Sequence, residues 1–261
     1  MGEVTKYPDG TFCWVDLGTP DVDAAKAFYH GLFGWEMEEV AVPGSSPYVL
    51  CRVDGKDVAG IHEHRDGGGG VWMSSISVDD INATTSRATE LGATILREPF
   101  DVMAEGREAA LRDPVGAVVS VWQPGSHIGA GLVNEVHTWG WNELSTTGFE
   151  RARSFYTDLF GWSTEDAPGD LRRSGFVMGH LLIGGIHEAT PQEGDGSVWT
   201  VAFRVAGADR AVAEVKELGG DVLLPPMSVP VGKFAIVADP SGARFTVTEA
   251  PGGALRGVDG S

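Results

Sequence analysis

Basic residues are scarce in this chain. Its 261 residues carry 19 Lys and Arg against 37 Asp and Glu, a formal net charge of −18, and no basic stripe interrupts the acidity. A phosphate backbone or an anionic lipid surface would be repelled, so neither nucleic acid nor membrane is an expected partner. Cysteine is scarcer still. Cys13 and Cys51 lie in apolar strand patterns without CxxC spacing, which points to two reduced structural thiols rather than a disulfide or a metal knuckle. No apolar run approaches the roughly 18 residues of a membrane helix. Met1 to Gly10 has no basic or apolar stretch of the secretory kind, so a cytoplasmic location is expected. The P-loop, the dinucleotide GxGxxG and the GxSxG elbow are missing too, and the glycine run Gly67 to Gly70 reads as a flexible loop with no phosphate-cradling helix behind it.

What is present is a duplication. Phe28-Tyr29 and Leu32-Phe33-Gly34-Trp35 return as Phe155-Tyr156 and Leu159-Phe160-Gly161-Trp162, with 155 − 28 = 127 and 162 − 35 = 127. Trp14 and Asp16 recur as Trp141 and Glu143 at that spacing, and Asp113-Pro114-Val115-Gly116 recurs as Asp239-Pro240-Ser241-Gly242 at 239 − 113 = 126. Hydrophobic residues at 42% and charged residues at 21% are globular values, so each copy can bury its own core. The expected division is a first domain over 10–123, a linker over 124–133, a second domain over 134–250 and a disordered tail over 251–261.

Each copy divides again into two units of strand, helix and short strands. Cys13, Val15 and Leu17 alternate with Phe12, Trp14 and Asp16, giving one apolar face. A helix follows from Val22 to Phe33, with Asp21 as its cap and Gly34 as the left-handed residue that ends it. The second unit has a strand from Trp72 to Val78, a helix from Ile81 to Leu91, and strands near 94–100, 108–112 and 117–122. In the second copy, strands are expected at 139–144, 199–205 and 244–248, with helices at 150–160 and 209–218.

Four such units, with the FY…LFGW helix ending and the DPxG turn before a last strand, resemble the vicinal oxygen chelate superfamily of glyoxalase I, extradiol dioxygenases and bleomycin-resistance proteins. The WxEL…FYxxLFGW wording is most similar to its tandem glyoxalase-like or "hydroxylase" branch from antibiotic-producing bacteria. The resemblance covers about residues 10 to 250. It implies an α+β fold of four βαβββ units forming two tandem half-open barrels, each a cup that holds a divalent metal on inward His, Gln or Glu. It also implies where those ligands would stand: Trp14, Met73 and Ser120 in one copy, and Trp141, Thr200 and Thr246 in the other. None of the six is a normal metal ligand, whereas a catalytic divalent site needs about three N, O or S donors. No metal or other cofactor is therefore expected.

Strand parity then lines the cups with Trp14, Asp16, Met73, Ser75, Ser120 and Trp122, and with Trp139, Trp141, Glu143, Thr200, Arg204, Arg244 and Thr246. Asp16 and Glu143 each stand beside an indole, where desolvation would raise a carboxyl's pKa and suit it to general acid–base work. Pairing with Arg204 or Arg244 would instead make Glu143 a plain structural ion. Gly60-Ile61-His62-Glu63 recurs as Gly185-Ile186-His187-Glu188, which turns His62 and His187 toward the cups to relay a proton or to hydrogen-bond. Four indoles, Trp14, Trp122, Trp139 and Trp141, have cup parity and suit a flat aromatic ligand. The second cup is expected to favour an anionic or carbonyl-bearing aromatic, since Arg204, Arg244 and Trp139 replace Ser77, Val118 and Phe12. The function expected is metal-independent binding of a hydrophobic or aromatic small molecule by a monomer or homodimer. Acid–base conversion by Asp16, Glu143, His62 and His187 in natural-product metabolism, or resistance by sequestration, are its two forms. The competing reading is a metal-dependent lyase or dioxygenase whose ligands lie elsewhere.

Overall fold

The computed structural model describes residues 2–64, 68–169, 171–190, 196–229 and 232–249. The expected tail over 251–261 lies outside them. The first copy runs β1 (Phe12–Thr19), α1 (Val22–Phe33), β2 (Glu36–Val40), β3 (Tyr48–Val53), β4 (Lys56–Glu63), β5 (Val71–Ser77), α2 (Ile81–Glu90), β6 (Thr94–Val102), β7 (Gly106–Arg112) and β8 (Val118–Pro124). The second runs β9 (Trp139–Thr146), α3 (Phe149–Phe160), β10 (Ser163–Asp166), β11 (Arg173–Met178), β12 (Leu181–Glu188), β13 (Val198–Arg204), α4 (Ala208–Glu217), β14 (Asp221–Val229), β15 (Gly232–Ala238) and β16 (Arg244–Glu249). These are four βαβββ units in two tandem α+β domains.

Local chemistry accounts for the helices. Asp21 accepts the Ala24 N–H at 2.9 Å with its side chain, satisfying one orphan donor of α1. Gly34 and Gly161 end α1 and α3 at φ 69° and 70°, a left-handed turn that a side chain would strain. β2 and β10, Glu36–Val40 and Ser163–Asp166, have no alternating apolar face because they are the charged edge strands of their sheets.

Each copy builds its own open eight-stranded sheet, in the order β2-β3-β4-β1-β5-β8-β7-β6 and β10-β11-β12-β9-β13-β16-β15-β14. Neither closes into a barrel. The two units of a sheet meet at an antiparallel pair, β1 with β5 and β9 with β13. One face is dry: Val15, Leu17, Cys51, Ile61, Ile76, Val119 and Val121 are fully buried in the first sheet, as are Leu144, Val201, Phe203, Phe245 and Val247 in the second.

The repeated FY…LFGW wording joins the copies rather than lining a cup. Tyr29 donates its hydroxyl to Asp239 Oδ2 in the second copy at 3.1 Å and accepts the Trp72 indole N–H at 2.9 Å. Its equivalent, Tyr156, donates to Asp113 Oδ2 in the first copy at 2.9 Å and accepts from Trp199 at 2.7 Å. Trp35 donates across to the His137 carbonyl at 2.8 Å, and Trp162 to the Gly10 carbonyl at 2.7 Å. These reciprocal bonds sit in an aromatic core where Phe33 meets Phe203 at 5.2 Å and Phe12 meets Trp199 at 5.1 Å.

The connection between copies is packed. The Ala130 N–H donates to the Cys13 carbonyl and the Gly131 N–H to that of Asp57, both at 2.8 Å. Gly129, at φ 111°, has no room for a Cβ, which would lie 2.3 Å from the Cys13 oxygen. Gly69 and Gly70 likewise lie against the Asp239 turn, the Gly70 N–H donating to the Ser241 carbonyl at 3.0 Å.

Candidate functional site

The faces of the sheets away from the dry core carry the polar side chains. On the first, Asp16 of β1 stands opposite Met73 of β5 and beside Gly60 of β4, while Ser75 stands opposite Ser120. On the second, Glu143 of β9 stands opposite Thr200 of β13 and beside Gly185 of β12. Both acids are thus held at the middle of their sheet by neighbouring strands on each side.

In the first cup the Trp14 indole donates to the Tyr48 hydroxyl at 2.9 Å. Tyr48 in turn donates toward Asp16 Oδ2 at 3.4 Å, and His62 Nδ1 stands 3.5 Å from that oxygen. The Tyr48 and His62 rings are parallel within 9°, their centroids 6.1 Å apart. Burial pushes the Asp16 carboxyl up to about 7, against the lowering effect of the Tyr48 hydroxyl. Glu108 of β7 belongs to the same cluster. It accepts the Ser120 hydroxyl at 3.0 Å, and burial together with the charge of Asp16 raises its pKa. Burial lowers that of His62, favouring the neutral ring.

The second cup is wired differently. The Trp141 indole donates directly to Glu143 Oε2 at 2.7 Å, and His187 Nδ1 lies 2.9 Å from Glu143 Oε1. The Arg173 guanidinium stands 3.8 Å from the same oxygen. Neither Arg204 nor Arg244 pairs with Glu143 among the described residues. Arg204 Nη1 donates to the Asn134 carbonyl at 2.7 Å, and its Nε and Nη2, like the Arg244 Nε, are buried without a hydrogen-bond partner there.

Gly60 and Gly185 make both arrangements fit. A Cβ on Gly60 would lie 1.8 Å from the Tyr48 hydroxyl, and one on Gly185 would lie 2.0 Å from Glu143 Oε2. Each glycine leaves room for whichever oxygen receives the indole N–H. Gly60→Ala and Gly185→Ala should each destabilise the protein by about 1–3 kcal/mol through overpacking. Urea unfolding measures this, and an unchanged midpoint would mean the cups tolerate the methyl.

Trp14, Asp16, His62, Met73 and Ser120 are therefore brought together in one cup, and Trp141, Glu143, His187 and Thr200 in the other. Thr246 holds in the second sheet the place that Ser120 holds in the first, opposite Ala202 and Ile236. Trp122 donates to the His127 carbonyl at 2.9 Å, and the His127 ring meets Trp14 edge-on at 4.8 Å, so the connecting segment covers that end of the first cup. Trp139 departs from its expected face. An irregularity in the β9–β13 register places it opposite Phe203, with its side chain buried and its indole N–H donating to the Trp141 carbonyl at 3.2 Å. Period-2 counting missed this because the extra residue breaks the alternation. Tyr48, Glu108, His127 and Arg173 escaped the sequence reading, since none recurs as the same residue in the other copy.

Two open eight-stranded sheets of βαβββ units, each presenting a carboxyl and an imidazole from its central strands, define a glyoxalase-type architecture. The sequence profile of the Glyoxalase/Bleomycin resistance protein/Dioxygenase superfamily matches residues 11–121 and 138–247, and the chain belongs to that superfamily. It is 38% identical over 256 residues to CFP32 of Mycobacterium bovis, which carries a provisional glyoxylase name, covering 95% of this chain and 97% of that protein. It is 36% identical over 266 residues to the anthracycline biosynthesis protein DnrV of Streptomyces peucetius, covering 94% and 95%. Among solved structures, the Mn(II)-bound glyoxalase from Novosphingobium aromaticivorans superposes with a TM-score of 0.64 at 17% identity, covering 92% of this chain and 82% of that one. The 2,3-dioxygenase LapB from Pseudomonas sp. KL28 gives 0.65 at 16% identity, covering 99% and 97%. At such identity these two show the fold alone.

A divalent metal of the family's kind does not fit the residues present. Trp14 and Trp141 offer indole N–H donors that are already engaged with oxygen acceptors, and Met73, Ser120, Thr200 and Thr246 add no imidazole or carboxylate. Among the described residues no group of three or more His, Cys, Asp or Glu is arranged to hold a metal.

Proposed function

We propose that the protein binds a planar aromatic small molecule in its cups without a metal, and that Asp16 with His62 and Glu143 with His187 supply the polar and acid–base contacts. The observation that carries the reading is the Asp16 cluster. A largely buried, incompletely hydrogen-bonded carboxyl, raised to about 7, stands beside Trp14, Tyr48 and His62 where the family would place a metal. Trp14, Trp122 and Trp141 supply apolar lining for a ring system, with Met73, Thr200, Ser120 and Thr246 as neutral contacts and Arg204 and Arg244 as unfilled donors. The relatives named for anthracycline biosynthesis support a polycyclic aromatic ligand and a place in natural-product metabolism. The acidic composition, without a basic stripe, favours a small-molecule ligand over nucleic acid or membrane, and we place the protein in the cytoplasm as a monomer or homodimer.

The test is elemental analysis together with binding of anthraquinone-2-sulfonate, read by quenching of indole fluorescence. Protein purified without chelator should carry no stoichiometric Mn, Fe, Ni or Zn, and its affinity for the probe should be the same with and without a chelator. About one metal per cup, with binding lost on its removal, would replace this reading with a metal-dependent lyase or dioxygenase.

A further inference from the structure

The two cups share their indole and imidazole but differ at the residues around the acid. Leu50 pairs with Gly60 in one copy and Gly175 with Gly185 in the other, so Tyr48, two residues earlier, corresponds to Arg173. Glu108 pairs with Trp122 and Phe234 with Thr248, which places Phe234 where the first cup has its second carboxyl. From these exchanges we infer that the cups divide the work: Tyr48 is a positioning residue that leaves Asp16 open as the proton-transfer group of the first cup, while Arg173 and His187 lock Glu143 into a second cup that only binds. This rests on the metal-independent reading above and names which of its two carboxyls moves a proton.

Hydrogen-bond reach carries the argument. Both Glu143 oxygens are engaged at good distance, 2.7 Å from the Trp141 N–H and 2.9 Å from His187. Asp16 has one methylene fewer, and the Tyr48 hydroxyl occupies the space beside Gly60 and takes the Trp14 N–H at 2.9 Å. Asp16 is left with contacts at 3.4 Å and 3.5 Å, at the weak end for a carboxylate. The groups facing it are Tyr48 from β3, neutral His62 from β4, Met73 from β5, Ser120 from β8 and Glu108 from β7. Arg97 of β6 lies nearby, its guanidinium over the Phe100 ring at 3.6 Å. Among the described residues, no cation within ion-pair distance holds Asp16 ionised other than an imidazole that burial keeps neutral, whereas Glu143 has Arg173. The acceptor form of Asp16 is then present above about pH 7 and is lost as pH falls through that value.

Dicyclohexylcarbodiimide, an apolar reagent, tests this on the intact protein. A protonated carboxyl adds its oxygen to the central carbon and its proton to a nitrogen, and the adduct rearranges to a stable N-acylurea that peptide mass mapping locates. In the wild-type protein Asp16 should be labelled at least about tenfold faster than Glu143, and its labelling should fall as pH rises through about 7. Tyr48→Arg installs the second cup's residue. It should cut Asp16 labelling at neutral pH about tenfold or more and move its pH dependence downward, because a guanidinium at that range favours the ionised carboxylate by one to three pK units. Equal labelling of Asp16 and Glu143, or a Tyr48→Arg protein labelled like wild type, would overturn the inference, and the wild-type comparison stands even if the variant fails to fold. Anthraquinone binding with equal labelling would keep the aromatic-ligand reading and remove the division between cups. Selective labelling of Asp16 without anthraquinone binding would do the reverse.

Discussion

Asp239→Ala should cost the folded protein about 3–5 kcal/mol, because it leaves several buried donors unsatisfied at about 1–3 kcal/mol each, and should loosen helix α1 although α1 lies in the other copy. Asp239 is buried at the turn before β16. Its Oδ1 accepts the Ser241 N–H at 2.8 Å, the Ser241 hydroxyl at 2.7 Å and the Ala243 N–H at 2.9 Å, and its Oδ2 accepts the Tyr29 hydroxyl of α1 at 3.1 Å. Removing the carboxylate strands two backbone donors and a tyrosine in a dry core. The measurement is urea unfolding with hydrogen exchange on the α1 amides. Tyr29→Phe, which removes only the link between copies, should cost about 1–3 kcal/mol and loosen α1 while leaving the turn intact. A loss from Asp239→Ala below that of Tyr29→Phe would show that the turn, not the link, is dispensable. Asp113, which holds its own turn and Tyr156 in the same way, should repeat the result on helix α3.

That wiring marks how far the sequence could be read. The duplication, the helices from Val22 and Ile81, the capping by Asp21 and the terminating glycines all depend on local periodicity and backbone sterics, and local signals suffice for them. The matching of Tyr29 to Asp239 does not. Both residues are visible as repeated motifs, yet their meeting depends on the two copies packing their dry faces together. The aromatic residues of LFGW show the same limit, since an indole with a bonded N–H in a core and an indole in a cup look alike in one dimension.

The cups were legible by position and not by chemistry. Parity sends Asp16 with His62 and Glu143 with His187 to one face of each sheet, and these pairs lie 3.5 Å and 2.9 Å apart, because alternation survives in the strands that carry them. It fails at Trp139, where the register shifts. Spacing also hides the decisive exchange. Tyr48 and Arg173 are 173 − 48 = 125 residues apart, as are His62 and His187 at 187 − 62 = 125, whereas the surrounding repeat runs at 127. Two residues are lost before these strands, so counting at 127 sets Tyr48 against Gly175. The difference between Asp16 and Glu143 likewise reads as conservative until distances show that one methylene decides whether the carboxylate reaches its imidazole.

Asp16→Asn should abolish base catalysis in the first cup, and a reaction that needs no knowledge of the natural ligand can measure it. The ring of 5-nitrobenzisoxazole opens when a base removes its acidic C–H: the C–H electrons form the nitrile, the N–O bond breaks, and the product is a coloured 2-cyano-4-nitrophenolate. The substrate is flat and aromatic, the class of ligand proposed for the cup that carries Trp14 and Tyr48. A carboxylate raised to about 7 by burial is a stronger and less solvated base than one in water, and a positioned base contributes about 100-fold or more. Wild-type protein should therefore open the ring with a rate that rises with pH and levels off above about 7, the sign expected when the deprotonated form is the active one. Asp16→Asn, which keeps the size but cannot accept the proton, should lower the rate by about 100-fold or more with little change in KM. Glu143→Gln should leave the rate within about threefold, because both oxygens of that carboxylate are already engaged at good distance, by Trp141 and His187, and a hydrogen-bonded, ion-paired carboxylate is the weaker base. If instead Glu143→Gln removes the activity and Asp16→Asn does not, the proton is moved in the second cup, and the open geometry of Asp16 has no catalytic meaning.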